Sequence, residues 1–187
     1  MAQVGEAIRK HHRQMVATLE TLVADIKKHE LPAGRKLVEF LRGDLLPHAH
    51  GEERHLYGLI DSLIKAHNAN STATMCVDHT FLEEQVDRIE SAIGRLERSS
   101  RSERTAAAAE LERLLIELSA VLRLHLRKEE DVYFTLMERY TPEQEQSDAL
   151  RRMHRVYEEE KQRAAQQAGS PNVSLDVREI PPAHAIL

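Results

Sequence analysis

The chain has 187 residues, enough for one domain and an additional element, and a formal charge of −5. Its basic residues are scattered among acidic ones, so we expect no nucleic-acid partner. The single cysteine excludes an internal disulfide and a thiolate metal cluster, which favours a reducing compartment, with the cytoplasm as the default. Charged residues begin early and no apolar segment follows them, so we expect neither a signal peptide nor a membrane span.

Apolar residues recur with helical period along most of the chain, and nothing predicts a strand before residue 172. Pro47 should kink the second helix and Gly51 should weaken it. Thr141 and Pro142 predict the N-terminus of a shorter fifth helix outside the bundle. The predicted helices cover about residues 3–29, 33–66, 73–98 and 103–139, and the fifth ends at Gly169. The predicted domains are a bundle at 1–140, an additional helix at 141–169 and a tail at 170–187.

The second and fourth predicted helices carry the same polar motif, H-x-x-x-E-E, within an apolar seam. The motif places His48 one turn before Glu52, and His125 one turn before Glu129. An unpaired carboxylate costs several kcal/mol to bury, so a buried metal is the simplest explanation of two such pairs. The seam of the fourth helix alternates steps of four and three residues: Leu111, Leu115, Leu118, Leu122, His125, Glu129, Val132 and Leu136.

The two halves of the sequence repeat this arrangement. His12 and His79 lie on seams of the same spacing in the first and third helices, ahead of the two H-x-x-x-E-E motifs. Each half is therefore an αα-hairpin that supplies two histidines and one glutamate. Two antiparallel hairpins predict an all-α, up-down-up-down four-helix bundle with these side chains in its interior.

The predicted ligand set fits two metal ions better than one. Six nitrogen and oxygen ligands are too many for one tetrahedral zinc and suit two five- or six-coordinate ions, with iron preferred and manganese next. We expect Glu52 and Glu129 to bridge the ions, the histidines to divide between them, and an oxo or hydroxo ligand to complete the bridge. An open position would suit dioxygen, nitric oxide or peroxide. The predicted metal ligands are His12, His48, Glu52, His79, His125 and Glu129.

Four elements occur in a fixed order: His12, the H-x-x-x-E-E of His48-Glu52-Glu53 followed by Leu56-Tyr57, His79, and the H-x-x-x-E-E of His125-Glu129-Glu130. Over about residues 5–140 the chain thus resembles the hemerythrin-like proteins, or HHE cation-binding domain. The resemblance implies a non-haem di-iron centre that binds dioxygen or reacts with related species. Oxygen-carrying hemerythrins have a histidine and an aspartate where this chain has Glu83 and Glu130. The likeness is therefore closer to the bacterial and regulatory HHE branch.

The C-terminal tail carries a second resemblance. The stretch from Leu175 to Pro182 looks like the opening of a small α/β domain that often follows hemerythrin-like bundles in bacteria. We expect residues 170–187 to be a truncated start or degenerate remnant of such a domain, disordered or loosely docked.

Several polar residues near the motifs have two interpretations. Glu83 is either a seventh ligand or a surface carboxylate. His55 is either a ligand, a hydrogen-bond donor to one of the ligands, or a residue at the edge of the buried helix face. Tyr133 lies one turn after Glu129, where it would either approach the metals or pack in the core. We assign His11, the neighbour of His12, to solvent. The second glutamates of the two motifs either face water or contact the histidines. Among the other histidines, we expect His29, His50, His67, His154 and His184 to be solvated.

Three functions follow from this interpretation. We favour a di-iron module that binds or senses dioxygen or nitric oxide and passes its output to a fused or partner domain. The first alternative is a di-iron enzyme that breaks down peroxide or performs another oxidation. The second is a metal-free helical interaction module.

Overall fold

A computed structural model describes residues 3–27, 31–67 and 71–168, and all regular elements in these ranges are helical, as predicted. The helices are α1 (Gln3–Lys27), α2 (Leu31–Phe40), α3 (Leu46–His55), α4 (Tyr57–His67), α5 (Ala73–Arg98), α6 (Arg104–Lys128), α7 (Phe134–Tyr140) and α8 (Glu143–Ala168). Two π-helical segments, Leu41–Leu45 and Glu129–Tyr133, join α2 to α3 and α6 to α7. The bundle has four rods. Helix α1 is the first rod and α5 the third; we call the run from α2 to α4 the second rod and the run from α6 to α7 the fourth rod.

Some predicted features lie outside the described ranges or find no counterpart within them. The resemblance at Leu175 to Pro182 and the tail at 170–187 fall outside, as do His29, His184 and the side chain of His67. The expected N-cap of α8 is wrong, because the buried Thr141 hydroxyl has no hydrogen-bond partner among the described residues. The fifth helix is also not shorter than the bundle helices, since α8 and α5 each have 26 residues. Among the described helices, none combines the length and the apolar character that a bilayer crossing requires.

The four rods pack as an antiparallel bundle. Between the second rod and α5, Arg42 pairs with Glu90 while His50 pairs with Glu83, so these two rods run in opposite directions. The same opposition holds between α5 and the fourth rod, and between α1 and the fourth rod, through pairs such as Lys27 with Glu112 and Arg9 with Glu138. The up-down-up-down order predicted from the two antiparallel hairpins is therefore observed.

Two of the three interruptions in the long rods are π turns, and the third is the single residue Leu56 between α3 and α4. The N–H of Leu46 donates to the carbonyl of Leu41, and that of Phe134 donates to the carbonyl of Glu129, five residues earlier in each case. Pro47 lies two residues after the end of the first π segment; it lacks an N–H, and its ring would collide with the carbonyl four residues earlier in a regular helix. The wider π turn makes room for this ring, which is the form that the expected kink takes.

The apolar core is divided into two clusters by one polar layer. Each seam passes from one cluster to the other across a histidine: Ile8 and Met15 flank His12 on α1, and Met75 and Leu82 flank His79 on α5. On the second and fourth rods the flanking residues in the two clusters are Leu45 and Leu56, and Leu122 and Tyr133. The layer therefore spans the whole bundle interior and is closed on both sides by packed apolar side chains.

Helix α8 docks along the second rod and also reaches α1. Met153 of α8 packs against Gly51 so closely that a Cβ at Gly51 would lie 2.9 Å from the Met153 carbonyl oxygen. Further up α8, Tyr157 and Lys161 donate to the buried carboxylate of Asp44 at 2.5 and 2.6 Å. Gly51 thus permits the close approach of two helices. This contact explains why a glycine stands at a helical position, where it would weaken an isolated helix.

Candidate metal centre

All six residues predicted as metal ligands lie in the polar layer, and each rod supplies at least one. Their side chains converge from α1, α3, α5, α6 and the second π segment. Each is almost completely buried, with relative exposure of 1% for His12, 3% for His48, 1% for Glu52, 2% for His79, 1% for His125 and 0% for Glu129. The structure therefore brings together every residue of the predicted set.

One group of potential ligands forms between α1 and α3. The Nε2 atoms of His12 and His48 lie 3.1 Å apart, and Oε1 of Glu52 lies 3.1 Å from His48 Nε2 and 3.5 Å from His12 Nε2. Ligand atoms of all three residues lie within 4.8 Å of one another. Two imidazole nitrogens and a carboxylate oxygen at this spacing can surround a single cation.

A second group forms around α5 and the fourth rod. The Nε2 atoms of His79 and His125 lie 2.9 Å apart, and His125 Nε2 is 3.5 Å from Oε1 of Glu129. Glu52 also belongs here, because its Oε2 lies 3.8 Å from His79 Nε2 and the four residues have ligand atoms within 4.8 Å of one another. Glu129 in turn reaches the first group, with Oε2 3.7 Å from His12 Nε2. Both carboxylates therefore lie between the two pairs of imidazoles.

Three of the four histidines have a carboxylate behind them. The Nδ1 atom of His12 lies 3.0 Å from Glu130, and that of His79 lies 2.9 Å from Glu53. His125 Nδ1 lies 3.2 Å from an Asp78 oxygen that also accepts from a lysine. Ionised carboxylates only accept hydrogen bonds, so Nδ1 carries a proton in each of these imidazoles, and in the neutral ring the Nε2 lone pair faces the layer. The second glutamates of both motifs thus contact histidines, one of the two interpretations of the sequence.

The interior of the layer lacks the hydrogen-bond donors that its acceptors need. No described residue donates a hydrogen bond of good geometry to either oxygen of Glu52 or to Oε2 of Glu129, although imidazole nitrogens lie 3.1–3.8 Å from these oxygens. With protons on Nδ1, the facing Nε2 atoms of His79 and His125 are both acceptors. Buried acceptors without donors cost about 1–3 kcal/mol each, and more when charged. Metal ions among these atoms would satisfy all of them at once, so the donor set fits a metal centre.

Mutual interactions shift the pKa values of the layer. Burial raises the pKa of Glu52, but the nearby His48 and His12 outweigh burial and hold it well below its usual range. Burial lowers the pKa of His12, but the neighbouring carboxylates of Glu130 and Glu52 prevail and raise it to about 9. Burial and neighbouring carboxylate charge raise the pKa of Tyr57, which keeps the phenol protonated. A cation bound here would replace the proton that His12 otherwise carries.

Tyr57 belongs to the layer, although the sequence analysis gave it no role. Its hydroxyl donates to Oε1 of Glu129 at 2.6 Å and lies 3.2 Å from His79 Nε2. Phe134 takes the corresponding position in the other half, with its ring 5.6 Å from that of His12. Tyr133, the tyrosine considered from sequence, packs in the core, and its hydroxyl bonds to a threonine on α5. The detectable signal for Tyr57 was its place five residues after Glu52, which Phe134 repeats after Glu129.

The remaining alternatives separate clearly. Glu83 is a surface carboxylate that accepts from His50 at 2.7 Å, and His55 is not among the residues grouped in the layer. His50 was expected in solvent, but its ring is held between Glu83 and Glu160 of α8. The assignment of His11 to solvent is also wrong, because α8 covers it; burial beside two other histidines lowers its pKa to about 2.

Comparison with known families agrees with this geometry. The family model described as Hemerythrin HHE cation binding domain matches residues 70–178, more than half of the chain. The chain therefore belongs to the hemerythrin HHE cation-binding domain family. The match contains His79, His125 and Glu129 and extends along α8, whereas the resemblance seen in the sequence covers about 5–140. No curated protein and no solved structure matches the chain.

Proposed function

We propose that the layer holds two iron ions, with manganese as the second choice, and that Glu52 and Glu129 bridge them. In this proposal His12 and His48 bind one ion, and His79 and His125 bind the other. The observation that carries the proposal is the set of buried carboxylate oxygens without donors, surrounded by four inward-facing imidazole nitrogens. The membership of Glu52 in both groups of ligand atoms supports a bridging role for its carboxylate.

We propose that this centre binds or senses a small oxidant such as dioxygen or nitric oxide. A bound pair of iron ions would supply reversible redox chemistry and a coordination position for such a molecule. The chain's own contribution is to exclude water through the two apolar clusters and to hold the imidazoles by their Nδ1 hydrogen bonds. The Tyr57 hydroxyl already donates a hydrogen bond to Glu129, so Tyr57 acts as a positioning residue for that carboxylate.

One observation favours an alternative, a di-iron enzyme that acts on peroxide. Glu130 hydrogen-bonds to His12 and also lines an open groove of about 320 Å³ between α1 and α6. Arg13, Arg123 and Arg127 line the same groove. This polar opening would let protons or a polar oxidant approach the His12 side, which turnover requires and simple binding does not.

Metal analysis and rapid mixing test the proposal together. We expect purified protein to contain two iron or manganese ions per chain, and a diferric pair to absorb in the near ultraviolet. The reduced protein, mixed with dioxygen or nitric oxide in a stopped-flow instrument, should form a stable adduct. Repeated consumption of peroxide would instead support the enzyme, and a folded chain without stoichiometric metal would contradict both.

A further inference from the structure

A small cavity lies beside His48, one residue of the first ligand group, where α8 meets α1 and α3. Its volume is about 30 Å³, and it is lined mainly by carbon atoms. Residues of all three helices form its wall: Ala7, Ile8, His11, His48, Leu150, Met153, His154 and Tyr157. A water molecule needs about 10–15 Å³ measured in this way, so the cavity has room for one small molecule. One of its walls is His48, a proposed metal ligand.

His11 is the polar residue of this wall that lacks a partner. Its ring lies 4.7 Å from the His48 ring and 5.5 Å from the Tyr157 ring, so it is held between a proposed ligand and α8. The Nδ1 atom of His11 is buried without a hydrogen-bond partner among the described residues. The Tyr157 hydroxyl cannot supply one, because it donates to Asp44. A buried nitrogen of this kind remains available to a molecule in the cavity.

We propose that this cavity is the docking site through which a small uncharged diatomic, dioxygen or nitric oxide, reaches the metal centre, with His11 as its polar contact. The inference rests on the proposed function and makes α8 a wall of the ligand site. The apolar lining disfavours an anion such as azide, because the cavity offers a charged molecule too few polar groups to replace its hydration. The volume likewise excludes larger substrates.

Filling the cavity from α1 provides the main test. Ala7→Phe places a ring in the cavity, and Ala7→Leu is a milder version in case the larger residue impairs folding. Ala17→Trp is the matched control, because Ala17 also lies on α1 but lines the groove beside Glu130. With metal content and spectrum unchanged, nitric oxide should bind the reduced Ala7 variants at least tenfold more slowly in stopped-flow mixing. Ala17→Trp should bind it at the wild-type rate.

The opposite pattern would overturn the inference. If both metal-loaded Ala7 variants bind nitric oxide at the wild-type rate, or if Ala17→Trp is the slow variant, the ligand enters elsewhere. The proposed function fails differently: the wild-type protein would then hold no metal or give no adduct. His11→Phe preserves the packing against His48 and Tyr157, and it should slow nitric oxide binding about fivefold, the factor for one ordinary hydrogen bond to the docked molecule. An unchanged binding rate would remove His11 from the proposal.

Xenon gives a readout that does not depend on metal chemistry. Crystals of the wild-type protein under xenon pressure should show the gas beside Met153 and Ile8, because xenon enters dry apolar cavities. Crystals of Ala7→Phe should show no xenon there. A wild-type cavity that holds ordered water and excludes xenon would contradict an apolar docking site, whatever the kinetics show.

Discussion

The two halves of the polar layer share one plan. Each half has two imidazoles whose Nε2 atoms lie about 3 Å apart, 3.1 Å for His12 and His48 and 2.9 Å for His79 and His125. The second glutamate of each H-x-x-x-E-E motif crosses to the other half, Glu53 to His79 and Glu130 to His12. The exchange is reciprocal, so each hairpin orients a histidine of its partner as well as supplying its own.

The halves differ in what surrounds this common plan. At His79 and His125, the Tyr57 ring stacks at 5.5 Å on His79 and its hydroxyl donates to Glu129. At His12 and His48, the equivalent aromatic residue is Phe134, which has no hydroxyl. The cavity and His11 also lie on the side of His12 and His48. One half therefore has an additional hydrogen bond from the Tyr57 hydroxyl, whereas the other has a phenyl ring in that place and adjacent space.

On the proposed function, this difference predicts separate tasks for the two halves of the layer. A half whose polar atoms are already engaged resists a change of ligand, because each displaced hydrogen bond must be replaced. The half bounded by Phe134 has fewer such bonds to break, and a neutral diatomic meets little penalty there. Exchange of small ligands is accordingly expected beside His12 and His48, and structural anchoring beside His79 and His125.

Removal of Glu129 should have the largest effect, because it contacts both halves. Glu129→Ala deletes a proposed bridge, leaves the Tyr57 hydroxyl without its acceptor, and opens a gap among the imidazoles. We expect at least one metal ion per chain to be lost, measured by elemental analysis, with a clear fall in the melting temperature. Glu138→Ala, which removes a partly exposed partner of Arg9, is the control and should keep both ions. Full metal content with an unchanged spectrum in Glu129→Ala would refute the bridging role.

The crossed carboxylates allow a matched test of the shared plan. Glu53 and Glu130 are similarly exposed, at 34% and 31%, and each binds one Nδ1 atom. Glu53→Gln and Glu130→Gln should each lower metal affinity about 10–100-fold, the usual cost of losing such a contact. Competition with a chelator of known affinity measures this. A large loss in one variant and none in the other would show that the two halves are not equivalent even in their common plan.

A larger residue at Gly51 tests how closely α8 must pack on the second rod, beside the half of the layer that contains His12 and His48. Gly51→Ala forces a methyl group against Met153 and should cost about 1–3 kcal/mol in the free energy of unfolding, as overpacking usually does. Gly58→Ala is the control, because nothing lies within 4 Å of its added Cβ, and it should be neutral or stabilise the helix by up to about 1 kcal/mol. Urea unfolding of both variants gives the comparison. Equal stability would mean that α8 docks with more freedom than the contact implies.

Sequence periodicity was sufficient for the convergence of the six side chains and for the helices as far as Glu129, but Val132, predicted on the seam, is 46% exposed. A polar residue on an apolar seam has to lie in the core, so His12, His48, His79 and His125 could be located without coordinates. What it could not supply depends on non-local packing: α8 covers His11, and the π segment changes the register after Glu129. In a regular helix Tyr133 would follow Glu129 on the same face, but the wider turn gives that place to Phe134.

The exchange of these two aromatic residues sharpens the comparison with the smallest expected effect. Tyr57→Phe removes the donor to Glu129 and should weaken metal binding about fivefold, the equivalent of one hydrogen bond, while shifting the spectrum. Phe134→Tyr brings a hydroxyl to His12 and should leave metal content unchanged. If Tyr57 closes its half, the double exchange should move slow ligand exchange to the other half, seen as slower nitric oxide binding than in Tyr57→Phe alone. Identical binding rates in the two proteins would mean that the phenol does not distinguish the halves and that their difference arises from α8 and the cavity.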